Sequence, residues 1–278
     1  MTKEMLKEDP GPVERMTRLD RKTAMQRAEG SISDRHLSPA LRGLPAQSLK
    51  VAALTSYKAR IYNALWRPIA DGRMKAGAVI TEGALNETFG VSATISKEVL
   101  NHMAGEGYVA ASVHKAARVV EPTTAEAVSV LEVLGVVMGH IVRDLARPGR
   151  TLSAGQRRLI DMHLKAQGQA DEADDAISAH LLGIEFLILL AVLHGSLIFT
   201  DLVGRTVVML TLSLKLHGRF PPPPRHVAFQ RRLADAILGH KPEEAVAELD
   251  ARLADIRGTL VLERYEEDDI AKLLGAEG

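Results

Sequence analysis

The chain has 278 residues, with 35 Lys and Arg against 35 Asp and Glu, no Cys, and 46% hydrophobic residues. That length and apolar fraction suffice for one large or two ordinary domains with real cores, which excludes wholesale disorder. The lack of Cys excludes a disulfide framework, thiolate metal sites and a Cys nucleophile.

The neutral total hides an asymmetry. Residues 1–120 hold 18 basic and 12 acidic side chains, whereas residues 121–278 hold 17 and 23. A basic front half points to a polyanionic partner for that half alone. The N-terminus, MTKEMLKEDPGP, carries acidic residues and no apolar stretch, so it does not read as a secretory signal. Residues 1–47 mix charges with Gly, Pro and Ser without an apolar period and are expected to form a mostly disordered arm.

From Ser48 the pattern changes, and an ordered domain is expected over 48–122. Ala53, Tyr57, Ile61, Leu65 and Ile69 recur at helical spacing until Asp71-Gly72. A turn at Gly77 and a short apolar Val79-Ile80 precede a second helix, Glu82 to Phe89. Gly90 breaks it and Ser92 is suited to cap a third helix, in which Ile95, Val99 and Met103 form one buried stripe. Two short strands, Tyr108–Ala111 and Ala117–Val120, flank a tip at Val113–Ala116. This order is that of a winged helix-turn-helix, in which the third helix is presented to a DNA major groove. Its outer face reads Ala93, Thr94, Ser96, Lys97 and Asn101, and residues 50–120 carry 9 basic and 5 acidic side chains.

Beyond Glu121-Pro122 the pattern is nearly all helical, with helices expected near 124–146, 153–169, 172–194, 197–217, 225–239 and 243–265. Thr123 with Glu126, and Ser153 with Gln156, have the spacing of capping boxes. The most hydrophobic stretch, Leu181 to Val203, contains Glu185, His194 and Asp201, which a bilayer span would have to bury. Two buried helices joined near Gly195 are expected instead, with no membrane partner. Four consecutive prolines ending at Pro224 dictate a loop, and the last residues, 266–278, form an acidic tail. The fold class is thus mainly α, an N-terminal winged helix-turn-helix followed by an all-helical bundle over 123–265. No Gly-rich phosphate loop, nucleophile elbow or H-E-x-x-H spacing is present, so an enzyme is not expected.

Residues GVSATISKEVLNHMAGEGYV and the later KAARV resemble the recognition helix and wing of the GntR family of bacterial transcription regulators, written GVSRTPVREAL..L..EGLV and RGARV. The spacing agrees without a gap, and the helical second half resembles the family branch with an FCD-type effector domain. The resemblance implies a homodimer on double-stranded DNA, at a pseudo-palindromic operator, in the cytoplasm. DNA contacts are implied at Ser92, Thr94, Ser96, Lys97, His114 and Lys115. The family's first recognition-helix Arg is Ala93 here and its second is Lys97, which removes bidentate guanine readout.

Many such effector domains hold a metal through one Asp and three His. The matching positions are Gly183, Leu187, Gln230 and Arg252, so neither a metal nor another cofactor is expected. A rival register through Asp175, His180 and His226 fails on helical spacing, since residues five apart do not share a face. An effector pocket is implied at Leu134, Met138, Gly183, Leu187, Gln230 and Arg252. Two readings of Arg252 stand: it supplies the charge for an acidic effector in place of a metal, or it pairs with Glu248 or faces water. Two readings of the chain also stand: an effector-controlled regulator, or a ligand- or partner-binding protein whose winged domain no longer reads sequence.

Overall fold

The computed structural model describes residues 36–44, 54, 56–111, 116–218 and 226–260, and these contain ten α-helices and three short strands. After a first short helix, α1 (Pro39–Arg42), comes the winged module. Helix α2 (Ser56–Ala70) buries Ile61, Leu65 and Ile69, the residues whose spacing marks it in the sequence. Strand β1 (Val79–Thr81) runs directly into α3 (Glu82–Phe89), where Thr81 Oγ1 accepts from Ala84 N at 3.1 Å. Gly90, at φ 63°, ends α3 in a left-handed conformation that an L side chain adopts only with strain. Helix α4 (Ala93–Glu106) is followed by β2 (Val109–Ala111) and β3 (Ala116–Val119).

The wing has three strands rather than the two expected. β1 pairs antiparallel with β3, Val79 opposite Arg118, and the sheet order is β1-β3-β2. A Val-Ile pair is too short to show alternation and becomes a strand only against a partner forty residues away in the chain.

The helical body comprises α5 (Thr124–Leu145), α6 (Ala154–Glu172), α7 (Ala176–His194), α8 (Leu197–His217), α9 (His226–Leu238) and α10 (Pro242–Thr259). Both capping boxes form: Thr123 with Glu126 opens α5, and Ser153 with Gln156 opens α6. Helix α7 begins at Ala176 rather than 172, because Asp174 sits at φ 51° and Asp175 caps the new helix by accepting from Ser178 N at 3.0 Å. The last helix stops at Thr259 instead of running to 265, because Leu260 turns extended and bridges to Gly218; the tail and most of the proline loop lie outside the described residues. Helices α5, α7 and α8 are each long and apolar enough to cross a membrane; here they pack on one another. Their contact holds the core, with Leu134, Met138 and Ile141 against Phe186, Leu190, Val203 and Val207.

The arm expected to be mostly disordered contributes a packed segment at 36–44. Ala40 and Leu41 of α1 are fully buried in the core of the body. The carboxylate of Glu185, itself buried, accepts from Leu37 N at 2.8 Å and Ser38 N at 2.7 Å, and Ser38 Oγ meets His163 Nδ1 at 2.8 Å. These two backbone N–H groups lie at the start of α1, where no intrahelical partner exists, and they compensate the burial of the Glu185 charge.

The winged module then rests on the body. Leu181 of α7 with Val208 and Leu212 of α8 complete the apolar cluster that contains Trp66 and Ile69. Further along, His217 Nε2 donates to Pro122 O at 2.7 Å, fixing the exit of the wing against the end of α8.

Candidate nucleic-acid interface and ligand cavity

The N-terminal half of α4 is the outward face of the winged module. Ser92, Ala93, Thr94, Lys97 and Asn101 are all exposed. Ser92 occupies the cap position in an extended conformation, yet its side chain makes no cap hydrogen bond, so the hydroxyl is not consumed by the helix. Glu98 pairs with Lys58, bracing α4 against α2.

Ser96 is a correction. It is fully buried, and its Oγ donates to Asn86 Oδ1 at 2.8 Å, tying α4 to α3. It faces the core with Val99, Leu100 and Met103, one step round the helix from the expected face. His114 and Lys115 lie outside the described residues. Arg118 of β3 went unremarked in the sequence; it is exposed, and its Nη1 donates to Gly77 O at 2.6 Å. Among the described residues of α4, the outward face therefore presents Lys97 as its cation, among small and polar neighbours.

A second feature lies in the body, where α7, α8, α9 and α10 enclose a cavity of about 720 Å³. It brings together Gly183, Leu187, Gln230 and Arg252, four of the six expected pocket residues. Leu134 and Met138 are corrections: both are fully buried between helices of the core and do not line the cavity. Their side chains are consumed in holding α5 to its neighbours.

Inside the cavity Arg252 is not paired with Glu248, which instead accepts from Arg232 Nε at 2.8 Å. Arg252 Nη2 lies 2.8 Å from His226 Nδ1, and its guanidinium carbon lies 5.9 Å from the centre of the Phe229 ring. An arginine only donates, so His226 accepts through Nδ1 and is neutral. Burial, with the Arg252 charge beside it, presses His226 down to about 4. Burial likewise presses His180 down to about 3, with Lys215, His226 and Arg252 acting in the same direction. Burial lowers Arg252 while Asp255 opposes the shift. Gln230 is fully buried; its Nε2 donates to Gln167 Oε1 at 2.9 Å, while its Oε1 has no protein partner among the described residues.

The residues do not fit the metal implied by the resemblance. A guanidinium, an amide, a leucine and a glycine stand at its ligand positions, and Asp175 of the rival register is consumed in capping α7. Gly183 explains the replacement geometrically: a Cβ there would lie 2.9 Å from His226 Nδ1. The missing side chain lets the imidazole lie against α7 and reach Arg252. Gly183→Ala is accordingly expected to push His226 off Arg252 and cost about 1–3 kcal/mol. A thermal melt with no loss, and an unchanged His226 signal by NMR, would remove this account of the glycine.

Residues 57–119 match the family model described as bacterial regulatory proteins, gntR family. No curated protein matches the chain. Among solved structures, a GntR transcriptional regulator from Rhodococcus sp. RHA1 is similar at 20% identity and a TM-score of 0.61, covering 81% of this chain and 100% of that one. McbR/YncC of E. coli is similar at 17% identity and a TM-score of 0.60, with the same coverages of 81% and 100%. Lar, which controls the agr system of Listeria monocytogenes, is similar at 13% identity and 0.51, covering 73% and 95%. The chain therefore carries a gntR-family winged helix-turn-helix domain on an all-helical body, in a fold shared with solved GntR regulators.

Proposed function

We propose that the protein is a DNA-binding transcription regulator of bacterial cytoplasm whose helical body, residues 123–265, binds an anionic small molecule that modulates operator binding by the winged domain, 48–122. The observation that carries this reading is the Arg252 guanidinium, set in an otherwise largely apolar cavity where related effector domains hold a metal. A half-buried guanidinium offers a fork of donors to a carboxylate or phosphate. The winged domain supplies the output. As a homodimer it would place two copies of α4 on the half-sites of a pseudo-palindromic operator. With Ala93 in the place of an arginine, recognition leans on Lys97, Thr94, Ser92, the wing and DNA shape.

The test is a fluorescence anisotropy titration against DNA flanking the protein's own gene and against random DNA. The expected result is saturable binding that prefers the flanking DNA and falls steeply between about 50 and 200 mM salt, as counterion release requires. Lys97→Ala should weaken it about tenfold or more. Equal, weak binding to every DNA would favour the second reading, in which the winged domain serves protein partners. The burial of Ser96, which leaves the reading face with one fewer polar group, is the observation on that side.

A further inference from the structure

Gln230 is fully buried and lines the ligand cavity from α9. A chain of hydrogen bonds among residues that do not line the cavity fixes which way its amide faces. The chain starts at Val227 N, in the first turn of α9, which donates to Asp171 Oδ2 at 2.9 Å. The other oxygen of that carboxylate, Oδ1, accepts from Gln167 Nε2 at 2.9 Å, and Ala179 O accepts from the same nitrogen at 3.1 Å. Both partners are pure acceptors, so Gln167 must turn its nitrogen to them and accept through its Oε1. Gln230 therefore presents its own Nε2 to Gln167, at 2.9 Å, and its Oε1 is left over. That oxygen is buried and has no hydrogen-bond partner among the described residues. Flipping the amide does not cure this, because it sets oxygen against oxygen at Gln167. Buried acceptors are nearly always satisfied in folded proteins, so a left-over one on a cavity wall marks where a ligand donor fits.

The guanidinium is close by. Gln230 follows His226 one turn along the same face of α9, about 6 Å by helical rise. His226 Nδ1 in turn lies 2.8 Å from Arg252 Nη2. Acceptor and cation are thus within the span of one small molecule.

We infer that Gln230 Oε1 accepts a hydrogen bond from a hydroxyl of the ligand whose acidic group Arg252 receives, so that the class this cavity selects is an aliphatic hydroxy acid with its hydroxyl close to the acid. The inference rests on the reading of Arg252 as the anion receptor. A hydroxyl donates while staying neutral, which suits an amide oxygen in a site shared with a guanidinium. An ammonium would donate too, but its charge would be set near Arg252 with little water between them. Asp255, the acid among the described lining residues, is exposed and screened by solvent. Leu187, Leu210 and Leu214 line the space and suit the aliphatic remainder. An acid lacking the hydroxyl leaves the amide oxygen unpaired, and that is the source of the discrimination.

The experiment uses the full chain and probes of one length: hexanoate, each stereoisomer of 2-hydroxyhexanoate and 3-hydroxyhexanoate, and 3-aminohexanoate, with Kd by calorimetry. The expected result is that at least one hydroxy acid binds about tenfold or more tightly than hexanoate, and that 3-aminohexanoate binds no tighter than hexanoate. Gln230→Met, which keeps the length and removes the oxygen, should abolish the difference between hydroxy acid and hexanoate. The series is read first on the parent chain, so it decides the matter even where the variant does not fold. Hexanoate and the hydroxy acids binding alike to the parent, and all lost in Arg252→Ala, would overturn this inference and leave the Arg252 reading standing. A difference that persists undiminished in a Gln230→Met variant that melts like the parent would overturn it too, as would 3-aminohexanoate binding as tightly as the best hydroxy acid. Binding of no acid by the parent chain would end both readings.

Discussion

Phe186→Ala is expected to destabilise the protein by about 3–5 kcal/mol, the largest effect of any single truncation proposed for this chain. Phe186 is fully buried in α7, and its ring stacks on the His163 imidazole with centroids 5.2 Å apart and planes 29° from parallel. Its removal therefore leaves a void between α6 and α7 and withdraws the surface that fixes His163. His163 is in turn the partner of Ser38 Oγ, so the packed arm segment loses one of its anchors. For a chain of this size the loss corresponds to a fall in Tm of about 10 °C. Phe229→Ala supplies the internal comparison, since Phe229 is half-buried on the cavity wall and its truncation enlarges a space that already exists. Equal losses for the two variants, measured by calorimetry or circular dichroism, would show that the core is not centred on Phe186.

Acidification should unfold the protein earlier than its carboxylates alone require. His163 and His226 are both buried, and burial presses each down to about 4, against 6.5 for the imidazole in an unfolded chain. For His163 the nearby Glu185 charge opposes the shift without reversing it. Between those two values the unfolded chain binds a proton at each position and the folded protein does not. Stability therefore falls as pH drops from about 6.5 towards 4, by up to about 1.4 kcal/mol per pH unit for each histidine, and is unaffected by them above about 7. Tm followed from pH 7.5 to 5 should fall accordingly, and His163→Gln, although less stable at pH 7.5, should show a flatter profile. A Tm that stays level across this range would mean that both imidazoles are charged in the folded protein.

The winged module and the helix starts were legible because their signals are local. Thr123 with Glu126 and Ser153 with Gln156 are self-contained four-residue devices, and each formed where the spacing places it. Gly90 marks the turn before α4 for an equally local reason, its positive φ. Signals that depend on remote partners were not legible. Ser96 reads as an outward polar residue until Asn86, on another helix, is seen to receive its hydroxyl. The segment 36–44 reads as part of a solvated arm because its main partner, Glu185, lies about 150 residues further on. Of the cavity, Gly183, Leu187, Gln230 and Arg252 were reached through spacing shared with a family pattern, although none of the four is a residue that the pattern contains. Lys215, which also lines the cavity, was missed because a single lysine in an apolar helix gives no clue to which side its ammonium emerges.

Segment 36–44 has a consequence for how the chain is strung. The polypeptide is fixed to the helical body at α1, leaves to build the winged module, and is fixed to the body again from Thr124. The module is thus a handle rather than a pendant: both its ends are moored to the same body, and the excursions open to it are those of a closed loop, not of a free end. Separation from the body costs little entropy to reverse, since the two faces are held at high effective concentration by two leads instead of one. An effector of the proposed kind would act over a correspondingly short distance: a small change of tilt at a doubly moored module alters where α4 points, while the module itself never leaves reach.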